Sequence, residues 1–294
     1  MEAHRSHRID REVLRWLSPS NNEPCYYQDR YKELIMSRCD GTCEWLLHED
    51  SFQLWELPET AESILWIQGD PGCGKSVLTA TVVEHLKRNK KSSLLYFFLD
   101  ARSNNAEATE PVAVIRSLVY QIFSSPLLPP NDVVRNAVQR SCQERALRFD
   151  VLWKLLVAML CLTNSTYIVI DALDECTDPE LLITRFLQLA LNIDCGIRIA
   201  FSSRAISEPA ICDLLKGATS IQVTPKMTAR DISHFISQGT QQFSNEGNFS
   251  SAVIEHISSS LTLNASGMYG PSSCYLTSCL TRVGSFGSNC SLTN

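Results

Sequence analysis

The stretch GDPGCGKS at positions 69–76 constrains this chain more than any other feature. It matches G-x-x-x-x-G-K-[ST], and its flanks are those the pattern needs: an apolar run, ILWIQ (64–68), before it and helically spaced Val77, Leu78, Thr81, Val82 and Leu86 after it. Gly69, Gly72 and Gly74 permit backbone conformations and close approaches that a Cβ would block, so successive N–H groups can ring an anion. The helix that starts there turns its positive end, about half a unit charge, to the same place. Lys75 adds a point charge suited to β and γ phosphates, and the Ser76 hydroxyl offers a Mg²⁺ position. Asp70, Pro71, Cys73 and Val77 complete the segment expected to wrap a nucleotide's phosphates. A glycine-rich turn ending in a solvent lysine satisfies parts of this pattern; the strand before it and the helix after it distinguish this one.

A second segment, IVIDALDEC (168–176), completes the constellation. An apolar strand delivers Asp171 to its carboxyl end, where open α/β sheets place ligands, and that carboxylate can hold Mg²⁺ directly or through water. Asp174 and Glu175 follow within one turn, and a carboxylate near a γ-phosphate can orient and deprotonate an attacking water, with Glu175 the better placed base. At the end of a later strand, AFSSR (200–204) puts Arg204 just beyond the sheet edge, where a guanidinium can sense or stabilise the γ-phosphate. The three catalytic candidates are thus Glu175, Asp174 and Arg204, and the metal candidates are Ser76 and Asp171. A guanine pocket of the GTPase type needs Asn-Lys-x-Asp after a later strand; Asn89-Lys90-Lys91-Ser92 lacks the Asp, which favours adenine and hence ATP with Mg²⁺. Cys73 reads as a small filler at a permissive position.

Around these motifs, short apolar runs alternate with amphipathic helices: 64–69, 93–100, 167–174, 197–203 and 220–224. Continuous apolar strands between helices predict an α/β fold, a parallel sheet with helices on both faces. Pro111 opens a core-facing helix through Val112, Ile115, Leu118, Val119 and Ile122, and VLWKLLVAMLCL (151–162) reads as a buried helix, since Lys154 interrupts it and a membrane span needs about 18 apolar residues. The expected organisation is a weakly ordered helical lead-in (1–50), the core (51–223), a small partial helical lid (224–268) and a Ser/Gly/Cys-rich tail (269–294). In the lid, Thr228 or Asp231 is the expected cap of a helix carrying Ile232, Phe235 and Ile236, with Val253, Ile254 and Ile257 on a second helix.

Charge narrows the partners. With 26 Lys+Arg against 32 Asp+Glu, the formal charge of −6 argues against a nucleic-acid binder, which needs a cationic surface. The start MEAHRSHRIDRE lacks a secretory apolar run, so a cytoplasmic, reducing compartment is expected and the 12 cysteines are expected to be free thiols. Cys39 and Cys43 come nearest to metal spacing, but no matching second pair follows and zinc needs four ligands. A small-molecule kinase would need a hydroxyl-acceptor pocket and an arginine-bearing lid, and the sequence offers no such cluster.

Taken together, these residues resemble the NACHT group of signal-transduction (STAND) P-loop NTPases, most closely the fungal versions of the nephrocystin-3-like N-terminal domain. The resemblance is carried by GTCEWLL (41–47), ILWIQGDPGCGKSVL (64–78), LLYFFLD (94–100), IVIDALDEC (168–176) and IAFSSR (199–204), and spans roughly residues 10–268. It implies ATP with Mg²⁺, slow hydrolysis acting as a conformational timer, and an Arg204 strand lying between the two Walker strands. It also implies a sensor role for Arg204 and places GTCEWLL beside the nucleotide as a helix leading into the core. Self-association, or association with full-length relatives, is the partner it suggests.

Family members usually carry an effector domain before this module and repeats after it; here Met1 falls in the lead-in and no repeat follows. After Gly267-Met268-Tyr269 the family continues into an apolar, Trp-containing helix, whereas this chain runs into GPSSCYLTSCLTRVGSFGSNC. A reading-frame or splice change near Gly270 and an incomplete lid are therefore expected. An incomplete lid excludes water poorly, so nucleotide binding is expected to outlast hydrolysis. The alternative to a slowly hydrolysing switch is a truncated interaction module that binds nucleotide without turnover.

Overall fold

The computed structural model describes residues 11–18, 26–57, 60–88, 92–103, 106–192, 196–204 and 209–246, together with residues 255 and 259. A short helix α1 (11–17) precedes α2 (Tyr26–Ser37), a 3₁₀ turn (Glu44–His48) and α3 (Asp50–Glu56). Then come β1 (Ile64–Gly69), α4 (Lys75–Arg88), β2 (Ser93–Phe98), α5 (Pro111–Phe123), α6 (Asp132–Gln143), α7 (Phe149–Leu160) and β3 (Thr166–Asp171). The rest is α8 (Pro179–Asn192), β4 (Ile197–Ser203), α9 (Pro209–Leu214), β5 (Thr219–Val223) and α10 (Pro225–Glu246). The five strands form one parallel sheet in the order β2-β3-β4-β1-β5, so β4, which leads to Arg204, lies between the strands that lead to the glycine loop and to Asp171.

Both faces of that sheet are covered, as continuous apolar strands require. Tyr167 and Phe201 show the division: the register pairs Ile170 with Phe201, three residues along from Tyr167, so the two rings project to opposite faces. Trp55 of α3 packs edge-on to Tyr167 on one face, and Phe186 of α8 meets Phe201 on the other. Trp55, Phe52, Phe186 and Phe201 are all fully buried, each stabilising the fold by about 1.5–3 kcal/mol. α5 begins at Pro111, whose missing N–H costs nothing in a first helical turn. No helix among the described residues is long and apolar enough to cross a membrane.

The described part of the lead-in packs against the core. Val13, Leu17, Leu34, Leu46 and Phe52 join the same buried cluster as the strands. α2 lies on α4 through the Arg38–Glu84 ion pair at 2.9 Å and through Lys87, whose ammonium stands 3.5 Å from the centre of the Tyr31 ring.

The start of α10 differs from the sequence expectation. The helix begins at Pro225, so Thr228 and Asp231 lie inside it and neither caps it. Pro225 suits a first turn, and the carbonyl of Thr224 accepts the first helical bonds from Met227 and Thr228. Asp231 instead turns its carboxylate to the backbone N–H of Cys43, 2.7 Å away, joining α10 to the lead-in. The expected helix around Val253, Ile254 and Ile257 and the tail from 269 lie outside the described residues.

Candidate functional site: a phosphate cleft at the carboxyl edge of the sheet

The loop between β1 and α4 is built by glycine at two kinds of position. Gly72 and Gly74 have φ of 79° and 93°, in the left-handed region that other residues avoid. Gly69 is needed for space: a Cβ there would lie 2.8 Å from Cys73 Sγ and 3.0 Å from Val223 Cβ. The Lys75 ammonium folds over the loop and donates to the carbonyls of Gly69 (2.8 Å) and Asp70 (2.9 Å). Cys73 is buried, and burial pushes its thiol pKa up against the opposing pull of Lys75, which fits a filler rather than a reactive thiol.

Asp171 ends β3 with its side chain 2% exposed. Burial raises its pKa from the ordinary carboxylate value, opposed by hydrogen bonds from Ser202, Ser76 and Thr79 and by the charge of Lys75. Ser202 Oγ donates to the carboxylate and accepts from the Ala172 N–H at 2.9 Å. Ala172 has φ 57° and ψ 47°, a left-handed conformation that costs a non-glycine residue about 1–2 kcal/mol. That turn swings the chain into the 3₁₀ segment Leu173–Glu175 and delivers both acids to the cleft.

Asp174 and Glu175 are each engaged. Asp174 accepts from the Arg204 backbone N–H at 2.9 Å and pairs with its guanidinium at 3.0 Å. Glu175 accepts from the Ala101 N–H at 2.7 Å, and its other oxygen lies 4.0 Å from Arg204. A cleft of about 610 Å³ lies between these groups, lined by Pro71, Gly72, Gly74, Lys75, Ser76, Val77, Asp174, Glu175 and Arg204. Gly69, Asp70 and Cys73 do not line it, the first and last being buried and Asp70 exposed, and Asp171 sits behind Ser76 rather than in the wall. The arrangement fits a magnesium nucleotide. Glycines at left-handed φ shape the loop, a lysine folds over its carbonyls, and a hydroxyl is backed by a buried carboxylate.

Sequence reasoning assigned no role to Arg30, Ala101, Arg102, Ala172 or Ser202, all of which line the cleft. Ser202 could have been found, because a parallel β4 beside β3 puts the residue after Phe201 level with Asp171. Arg30 carries no local signal; it arrives through the docking of α2. The segment 41–47 contributes none of the residues that line this cleft, although its Cys43 and Leu46 are in the core.

A parallel sheet with a glycine loop at the end of β1 and an acidic strand end two positions away defines a nucleotide-binding P-loop NTPase module. The family model described as nephrocystin 3, N-terminal, matches residues 41–204, and the chain belongs to that family. It is 28% identical over 246 residues to vegetative incompatibility protein HET-E-1 of Podospora anserina, covering 78% of this chain but 17% of that protein. Among solved structures, Cdc6p from Pyrobaculum aerophilum is similar with a TM-score of 0.44 and 18% identity, over 75% of this chain and 51% of its own. PCH-2 of C. elegans is similar with a TM-score of 0.46 and 13% identity, over 89% of this chain and 66% of its own.

Proposed function

We propose that the cleft binds ATP with Mg²⁺ and hydrolyses it slowly, as the nucleotide switch of a signal-transduction protein in a reducing, cytoplasmic setting. The observation that carries the reading is the joint placement of Lys75, Ser76, Glu175 and Arg204 around one cleft, with Asp171 buried behind Ser76. When bound, Mg²⁺ supplies charge neutralisation at the phosphate oxygens. Ser76 is the hydroxyl placed to hold it, and Asp171, hydrogen-bonded to Ser76 and Ser202, keeps that hydroxyl oriented.

The loop amides and Lys75 hold the phosphates in place, and Gly72 and Gly74 supply the left-handed conformations that such a loop needs. Glu175, held by the Ala101 N–H, is the base that takes a proton from water, while Asp174 keeps Arg204 at the rim. Arg204 acts as sensor by exchanging Asp174 for phosphate oxygens. α10, tied to the lead-in through Asp231, is the first element of the lid. Self-association or binding to longer relatives gives the output.

The second reading, nucleotide binding without turnover, draws on the engagement of both acids by Arg204 and Ala101. One experiment separates the two. Glu175→Gln should retain ATP and stop phosphate release, measured on purified protein by a phosphate-release assay. Equal turnover in wild type and variant removes Glu175 from the mechanism, and no turnover in the wild type favours the second reading.

A further inference from the structure

One arginine in the cleft comes from outside the sheet. Arg30, on the second turn of α2, lines the same space as Lys75, Ser76, Glu175 and Arg204. Its side chain is 21% exposed, and its partners hold it loosely: Nη1 meets the largely solvated Glu33 at 3.1 Å, and Nε lies 3.7 Å from Asp100 Oδ2, beyond a good hydrogen bond. A guanidinium has five N–H donors in a rigid fork, and a phosphate can take two of them side by side. Arg102 contacts the same aspartate, but at 78% exposure it is a solvated rim charge.

The helix that carries Arg30 is fixed to the helix that carries the phosphate loop. Arg38, just past the end of α2, reaches Glu84 and Thr81 of α4, and Lys87 of α4 stands over the Tyr31 ring, itself 5.5 Å from Tyr96 of β2. The position of Arg30 relative to Lys75 is therefore set by packing on both sides of it. Its partner Asp100 is followed by Ala101, whose N–H holds Glu175, and Glu175 in turn approaches Arg204. A continuous line of contacts runs along the cleft rim from Arg30 through the 100–101 loop and Glu175 to Arg204.

We propose that Arg30 is a second phosphate-sensing arginine, which leaves Asp100 to pair with the terminal phosphate of a bound nucleoside triphosphate and so reports nucleotide state to the lead-in helix. The inference rests on the reading that this cleft takes a nucleoside triphosphate. Because the contact needs the third phosphate, Arg30 distinguishes triphosphate from diphosphate, whereas Lys75 and the loop amides serve both. A merely structural Arg30 would affect both nucleotides alike.

The test is calorimetric titration of the full chain with Mg·ATP and with Mg·ADP, for wild type, Arg30→Ala, Arg30→Lys and Lys75→Ala. Arg30→Ala should weaken ATP about tenfold and leave ADP within about twofold, the loss expected for one charge-assisted contact. Arg30→Lys should recover part of the ATP affinity, since it restores the charge but not the fork; it carries the test if Arg30→Ala does not fold. Equal losses for ATP and ADP, or no loss for either, overturn the role of Arg30 while leaving the phosphate site intact. If the wild type binds neither nucleotide, or Lys75→Ala binds both as the wild type does, the phosphate-site reading fails and this inference falls with it.

Discussion

The two ends of the sheet use similar polar residues to opposite effect. At the amino end, Arg198 of β4 is buried and donates to the carbonyls of Thr60 (2.9 Å) and Glu62. Thr219 donates to the Glu62 carboxylate, and Tyr167 donates to the carbonyl of Glu56 at 2.6 Å. These groups are closed on the protein itself. At the carboxyl end, Arg30 and Arg204 rest on carboxylates at the rim of a cleft, Lys75 bends over its own loop, and Ala172 holds a costly backbone conformation. An arginine on a strand is therefore no functional signal by itself; what distinguishes the carboxyl end is polar groups facing open space from strained turns.

Three substitutions sharpen that contrast. The largest effect is expected at the closed end. Arg198→Leu leaves two partly buried carbonyls without their donor and should lower unfolding free energy by about 1–3 kcal/mol, read by chemical denaturation. Its ATP affinity should be unchanged under conditions where it is folded; a parallel loss of affinity would mean that the two ends are coupled. Next comes Ala172→Gly, which relieves the left-handed strain and should raise stability by about 1 kcal/mol. A loss of stability there would show that the Ala172 methyl packs usefully.

The smallest effect is a pH dependence. The raised pKa of Asp171 means that the folded state holds its proton more tightly than the unfolded chain, whose ordinary value is 3.8. Stability contributed by this group is present below that value and lost as pH rises through the folded pKa. Asp171→Asn should therefore match or exceed the wild type in stability at pH 7 and lose that advantage toward pH 4. A variant less stable than wild type at pH 7 would contradict the burial argument.

Much of the fold was legible because its signals are local. The strand IRIAFSS is bounded in the structure as its apolar run suggests, and the loop glycines fall where their conformations demand. Asp171 could be placed because a strand ends at it. The start of α10 was misjudged because Thr228 and Asp231 have cap chemistry, while Pro225 had already opened the helix and Asp231 was committed to Cys43, 188 residues away in sequence. Arg30 was invisible for the same reason. Its place depends on how α2 lies on α4 and β2, which no spacing within 26–37 encodes.

The central claim is that the loop from Gly69 to Ser76 closes around the phosphates of a nucleotide. The most direct measurement is titration of purified wild type and Lys75→Ala with Mg·ATP, with circular dichroism to establish that both are folded. Saturable binding by the wild type and at least about a hundredfold loss in the variant, near 2.7 kcal/mol, is the predicted result. Equal affinity in two folded proteins would contradict it.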